Sequence, residues 1–125
     1  MKLHLASNDG LHLFTGYGAG YVAVNNVRHE KCVVVSPEAV TEWVVTGFEA
    51  LAGTDFGFIA ELKPEIVILG TGATQRFPQP ELARALAATG VGVEIMDSRA
   101  ACRTYNILAS EGRKVVAAIL LDRSR

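Results

Sequence analysis

The sequence has no long apolar run. Its longest, Val115 to Leu121, is strand-sized and falls far short of the roughly 18–20 residues that carry a helix across a bilayer. No membrane span is expected. The first ten residues, Met-Lys-Leu-His-Leu-Ala-Ser-Asn-Asp-Gly, lack the apolar core of a secretory signal, a twin-arginine pair and the arginine-rich pattern of a transit peptide. The expected location is cytoplasmic. Cysteine is scarce: Cys32 and Cys102 stand too far apart for a C-x-x-C redox or zinc motif, and both are expected as free thiols in a reducing compartment. Neither sign of charge dominates, with 12 basic and 13 acidic residues. A dedicated nucleic-acid binder carries a strong basic excess, so nucleic acid is not an expected partner. His4, His12 and His29 form no H-x-x-x-H or Cys/His set, and no metal site is expected. There is no G-x-S-x-G elbow and no other complete catalytic signature, so no catalytic residue and no cofactor are assigned.

Half of the 125 residues are hydrophobic and a fifth are charged, which suits one domain over residues 1–125 with a real core. The first third reads as antiparallel strands with tight turns. Leu11 to Thr15 alternates weakly, Gly16-Tyr17-Gly18-Ala19-Gly20 leads into Tyr21 to Val24, and Asn25-Asn26 is a turn signal before Val27. Cys32 to Val35 is a further apolar run. A turn at Pro37 and a short strand around Trp43 follow, then a short helix capped by Thr54 or Asp55 and ended by Pro64.

From Glu65 the pattern is regular. Ile66-Val67-Ile68-Leu69 and Val93 to Met96 read as strands buried on both faces. Pro80 and Glu81 open a helix that ends at Gly90, and Asp97-Ser98 opens another that runs to about Ser110. Helical spacing places Ala101, Thr104, Tyr105 and Leu108 on its inner face and Arg99, Arg103, Asn106 and Ser110 opposite. Val115 to Leu121 is the last strand. Strand–helix–strand–helix–strand is a pair of βαβ units, which implies an α/β fold with parallel strands and right-handed crossovers. The six basic and two acidic residues over 99–125 flank the last helix and strand.

Chemistry concentrates at the ends of the two buried strands, where open α/β sheets bind ligands. The loop from Gly70 to Pro78 exceeds the roughly 2–6 residues usual for a βα connection. Gly70, Thr71, Gly72, Gln75 and Arg76 offer backbone and side-chain donors suited to an anion. The dinucleotide fingerprint is incomplete, since Gln75 stands where a third glycine belongs and Asp97 follows Gly70 by 27 positions rather than about 20. Glycines that merely let the chain turn explain the same loop. The second cluster is Asp97-Ser98-Arg99, with Cys102, Arg103, Tyr105 and Asn106 on the helix behind it. Asp97 is either a helix cap or the partner of Arg76 or Arg103, and Cys102 beside Arg103 is either a reactive thiol or a buried one. Trp43, Tyr17 and Phe77 read as core or pocket wall.

These linked segments resemble one family. Gly16-Tyr17-Gly18-x-Gly20 leading to Val24-Asn25, Gly70-Thr71-Gly72, Gln75-Arg76-Phe77-Pro78, Glu94-x-Met96-Asp97, Ala101-x-Arg103-Thr104-Tyr105-Asn106-x-Leu108 and Glu111-x-Arg113 are similar to a domain-of-unknown-function family. In eukaryotes it includes a mitochondrial complex I assembly factor and an adipogenesis-associated domain protein. The resemblance spans residues 11–121 and is poorest from Glu38 to Leu62. It implies a three-layer β/α/β-type sandwich: a central mixed sheet, its helices and an N-terminal antiparallel β layer. It also implies a cytoplasmic bacterial member with no established catalytic activity. The expected function is therefore non-catalytic binding or assembly with an unknown protein partner, a second copy of the chain being one candidate. The alternative is a small anionic ligand in the crevice between Gly70–Arg76 and Asp97–Arg103.

Overall fold

Two tight turns build the first sheet of the computed structural model, which describes residues 10–122. Strand β1 (Phe14–Gly18) turns at Ala19-Gly20 into β2 (Tyr21–Val24), with Gly20 at φ 75°. Asn25 and Asn26 both adopt positive φ, 48° and 70°, between β2 and β3 (Val27–His29). That is the geometry a two-residue hairpin of right-twisted strands requires, and asparagine tolerates it best after glycine. The Asn25 amide also clips the approach to β1, accepting from Leu13 N at 3.0 Å and donating to Leu11 O at 3.1 Å. β1 runs further than the alternation at Leu11–Thr15 indicates, through Gly16 and Gly18. Gly16, Tyr17 and Gly18 pair with Ala23, Val22 and Tyr21 of β2, and a Cβ on Gly18 would lie 2.9 Å from Cζ of Tyr21, whose ring crosses that spot.

The second sheet has five strands in the order β5-β4-β8-β6-β7. They are β4 (Val33–Val35), β5 (Val40–Glu42), β6 (Ile66–Gly70), β7 (Gly92–Met96) and β8 (Val115–Ile119). β6 pairs parallel with β7 and β8, while β4 pairs antiparallel with β5 and β8. The expected mixed central sheet, C-terminal βαβαβ unit and N-terminal antiparallel layer are all present. From β6 the chain steps outward to β7 through α2 (Pro80–Ala87), then back across β6 to β8 through α3 (Ser98–Ser110). Reversing the step while keeping right-handed crossovers puts the two helices on opposite faces.

Side chains alternate accordingly. Val33, Val35, Ile68, Val115, Ala117 and Ile119 pack with α3 and the three-stranded sheet. Val34, Val67, Leu69, Val116, Ala118 and Leu120 pack under α2 and α1 (Gly57–Glu61) on the other face. Two strand expectations shift. β5 stops at Glu42, although Trp43 N–H still donates to Cys32 O at 2.8 Å and its indole is buried, donating to Asp55 O at 3.1 Å. β7 is not buried on both faces: it is the edge of the sheet, with Gly92 and Glu94 exposed. The short helix before Pro64 begins as a 3-10 turn at Gly53–Phe56. Thr54 does not cap it; the Asp55 carboxylate accepts from Ala52 N at 2.9 Å.

Helix α3 is the bridge between the sheets. Its buried positions include Ala101, Cys102, Tyr105, Asn106 and Ala109, so Asn106 lies on the inner face rather than the outer one expected from spacing. The cause is a polar one. The Asn106 amide accepts from Phe14 N at 2.9 Å and donates to Phe14 O at 2.8 Å, as a strand neighbour would. Tyr105 adds an edge-on contact with Phe14, ring centroids 5.3 Å apart. At the bottom of the sheet Glu65 accepts from Lys114 N and Arg113, and both contacts hold its carboxyl below the usual range.

Replacing Asn106 by Ala strands two buried backbone groups, each worth about 1–3 kcal/mol. Urea unfolding followed by Trp43 fluorescence is expected to report a loss of roughly 2–6 kcal/mol, with amide exchange at Phe14 accelerated ahead of exchange in β6 and β8. An unchanged midpoint would contradict this account.

Candidate functional site

Gly70 ends β6 where no side chain fits: a Cβ would lie 2.8 Å from Ser98 Oγ and 3.0 Å from Ile119 Cδ1. The loop beyond it is pinned by its own polar groups. The Thr71 hydroxyl, buried, donates to Thr74 O at 2.7 Å and accepts from Arg76 N at 3.1 Å. Gly72, at φ 101°, donates to Ser98 Oγ at 2.9 Å, and that hydroxyl donates onward to Leu120 O at 2.7 Å. Gln75 donates to Ile95 O at 3.0 Å on β7.

The anion-suited donors meet a carboxylate of the same chain. Asp122, just past β8, accepts from Ala73 N at 2.8 Å and lies 3.3 Å from the Arg76 guanidinium. Arg76 also pairs with Glu49 at 3.4 Å and lies over the Phe48 ring, 5.6 Å from its centroid. Sequence spacing gives no hint of Asp122, because its place depends on β8 lying beside β6. That adjacency is the topological switch point of the sheet, where ligand crevices form.

The second expected cluster divides: Ser98 and Arg99 meet the loop at Gly72, and the rest faces elsewhere. Asp97 caps α3, accepting from Ala100 N at 2.9 Å. Arg103 donates to the Tyr17 hydroxyl at 2.8 Å, and the fully buried Tyr105 donates to His12 O at 2.8 Å. Arg103, Tyr105 and Asn106 thus serve the three-stranded sheet, while Gly70, Thr71, Gly72, Gln75 and Arg76 serve the loop. Among the described residues Arg76 pairs with Glu49 and Asp122, not with Asp97. His12 donates from Nδ1 to Pro37 O at 3.0 Å, and His4 lies outside the described residues. Phe77, expected in the core or a pocket wall, is 78 % exposed.

Cys102 is fully buried, and burial pushes its thiol from the ordinary 9.0 up to about 12, outweighing the pull of Arg103. A thiol so placed stays protonated and is a poor nucleophile. Cys32 is half-buried, its Sγ accepting from Leu121 N at 3.4 Å.

A cavity of about 210 Å³ opens beside the loop, between the β1–β2 turn and the ends of β6 and β8. Gly72, Ser98, Arg99, Leu120 and Asp122 line one side, and Tyr17 to Val22 the other. Arg99 belongs to the expected second cluster, but spacing does not bring Asp122 or the β1–β2 turn to it, since they come from distant parts of the chain. The repeated glycines at 16, 18 and 20 were the one available signal.

This fold and these sequence blocks decide the family. Residues 14–120 match a family described as a protein of unknown function, DUF498/DUF598. The chain belongs to this family. It is 34% identical over 103 residues to a Bos taurus protein named NADH dehydrogenase [ubiquinone] 1 alpha subcomplex assembly factor 3, covering 81% of this chain and 55% of that protein. The chain thus spans about half the length of the assembly-factor relatives it matches. It is 29% identical over 109 residues to the 13 kDa major membrane protein of Francisella tularensis, covering 86% of this chain and 89% of that one. A crystal structure from Bordetella parapertussis superposes with a TM-score of 0.84 at 44% identity, covering 90% of this chain and 98% of its own. A Bordetella pertussis structure described as a Mth938-like domain gives 0.80 at 37% identity, covering 98% and 93%. Among the described residues no helix is long and apolar enough to cross a membrane.

The buried thiol predicts both reactivity and pH dependence. Iodoacetamide is expected to leave Cys102 unmodified in the native protein and to label it in denaturant. Between pH 9 and 12 only the unfolded chain loses the Cys102 proton. The unfolded state then binds fewer protons, and stability falls as pH rises. Tyr105, whose burial also raises its pKa, adds a loss of the same sign above its ordinary 10.0. A Cys102→Ala variant is expected to show a shallower alkaline decline in urea unfolding; a decline as steep as in the parent would overturn the assignment.

Proposed function

We propose that this protein is a non-catalytic, cytoplasmic binding protein that assists the assembly of a larger protein complex. The observation that carries this reading is the alignment of 81% of the chain with a relative named as a complex I assembly factor. The geometry agrees with it. The loop donors Ala73 N and Arg76 are engaged by Asp122, and the buried thiol is held protonated. Phe77, next to Arg76, and Val44, next to the buried Trp43, are 78 % and 85 % exposed. Exposed large apolar side chains of this kind are the usual anchors of protein interfaces. The partner class that the relative's name supplies is a subunit of an NADH dehydrogenase. The Francisella relative is named a major membrane protein, which supports a role at a membrane.

The anionic ligand expected between Gly70–Arg76 and Asp97–Arg103 remains a second reading, favoured by the concentration of donors in that loop. An anion there has to compete with Asp122 for Ala73 N and Arg76.

A photo-crosslinking side chain at position 77, expressed in the source organism, tests the first reading. Crosslinks to NADH dehydrogenase subunits are expected, and Val44→Asp is expected to reduce them by about tenfold, the loss of one interface anchor, with circular dichroism unchanged. Crosslinks unaffected by that substitution, or none to such subunits, would defeat the proposal.

A further inference from the structure

The 210 Å³ cavity beside the β1–β2 turn is walled by aromatic and aliphatic side chains, chiefly Tyr17, Tyr21, Val22, Leu120 and Leu121. Its polar lining is largely satisfied from within. The Ser98 hydroxyl is bonded to Gly72 N and Leu120 O, and Asp122 to Ala73 N and Arg76. The two tyrosines are braced from behind. Arg103 holds the Tyr17 hydroxyl at 2.8 Å. The Arg28 guanidinium stacks 3.9 Å from the centroid of the Tyr21 ring, and the same ring lies across Gly18, where any Cβ would collide with it. The walls are therefore set before a ligand arrives, which reduces the ordering cost of binding.

One charged group on the rim has no carboxylate partner among the described residues. Arg99 is exposed and lies 5.9 Å from the centroid of the Tyr17 ring. Asp122, the opposite charge in the lining, is already paired with Arg76. An apolar cavity of about 150 Å³ accommodates benzene; 210 Å³ leaves space for a ring and a short arm, and too little for a nucleotide.

We infer that this cavity binds a small aromatic carboxylate, its ring against Tyr17, Tyr21 and Leu120 and its carboxylate on Arg99. The inference uses none of the residues proposed to meet a protein partner, so either can fail alone.

Titration of ¹⁵N-labelled protein with sodium phenylacetate tests it. Saturable shifts are expected at Gly18 to Val22, at Gly72 and Ala73, and at Ser98 and Arg99. Arg99→Gln is expected to weaken binding about tenfold, the scale of one charge-assisted hydrogen bond, while Arg99→Lys restores part of it. Arg99 sits in the first turn of α3, where a positive charge opposes the helix dipole, so its neutralisation leaves the fold intact. The same ring on a cation, 2-phenylethylamine, is expected to give no saturation. Shifts that grow linearly or scatter over the surface overturn the site. Equal binding by Arg99→Gln, or by the amine, overturns the carboxylate.

Discussion

A side-chain amide stands in for a strand partner in this protein. Among the described residues the three-stranded sheet pairs only within itself, yet it has to be held on the larger sheet through α3. Asn106 does this by engaging both polar groups of Phe14 in a buried setting, where an unmade hydrogen bond is far costlier than on the surface. Tyr105 and Arg103 extend the seam along α3, to His12 O and the Tyr17 hydroxyl. The same seam braces Tyr17, and so one wall of the cavity, which makes the cavity a by-product of how the two sheets are joined.

The periodic part of the fold was legible in the residues. Asn25-Asn26, Gly90, Asp97 and the β-branched runs at 66–69 and 115–119 each carry a local rule, and each lies where the rule puts it. The departures come from long-range contacts. Helical spacing assigns Asn106 to solvent because asparagine is polar; only the presence of Phe14 across the gap makes its burial favourable. β7 reads as a buried strand from Val93, Ile95 and Met96, but it has a strand neighbour on one side alone among the described residues, and Gly92 and Glu94 are exposed.

The candidate site was legible in its parts and not in its assembly. Sequence order places the loop after β6 beside the loop after β7, since those strands are consecutive. The sheet instead sets β6 between β7 and β8, so the segment after β8 also reaches the glycine loop. That brings in Asp122, fifty positions along from Gly72, and with it a charge that the loop alone does not announce. Ser98 shows the same effect at shorter range. Its hydroxyl joins the ends of β6 and β8, through Gly72 N and Leu120 O, a role that looks in sequence like an ordinary residue after a helix cap.

Asp122 also bears on how glycine-rich loops are read. Exposed amides and an arginine after a parallel strand favour negative charge, and the chain itself can supply that charge. Here a carboxylate fills the place at Ala73 N and Arg76, with Glu49 as a second anion on the same guanidinium. An external anion would meet repulsion from two carboxylates unless Asp122 withdrew, and withdrawal would expose Ala73 N while removing the brace between β8 and the loop. Arg99, on the far side of Ser98, carries no such internal partner among the described residues. Of the described arginines around the switch point, it is the one without a carboxylate partner.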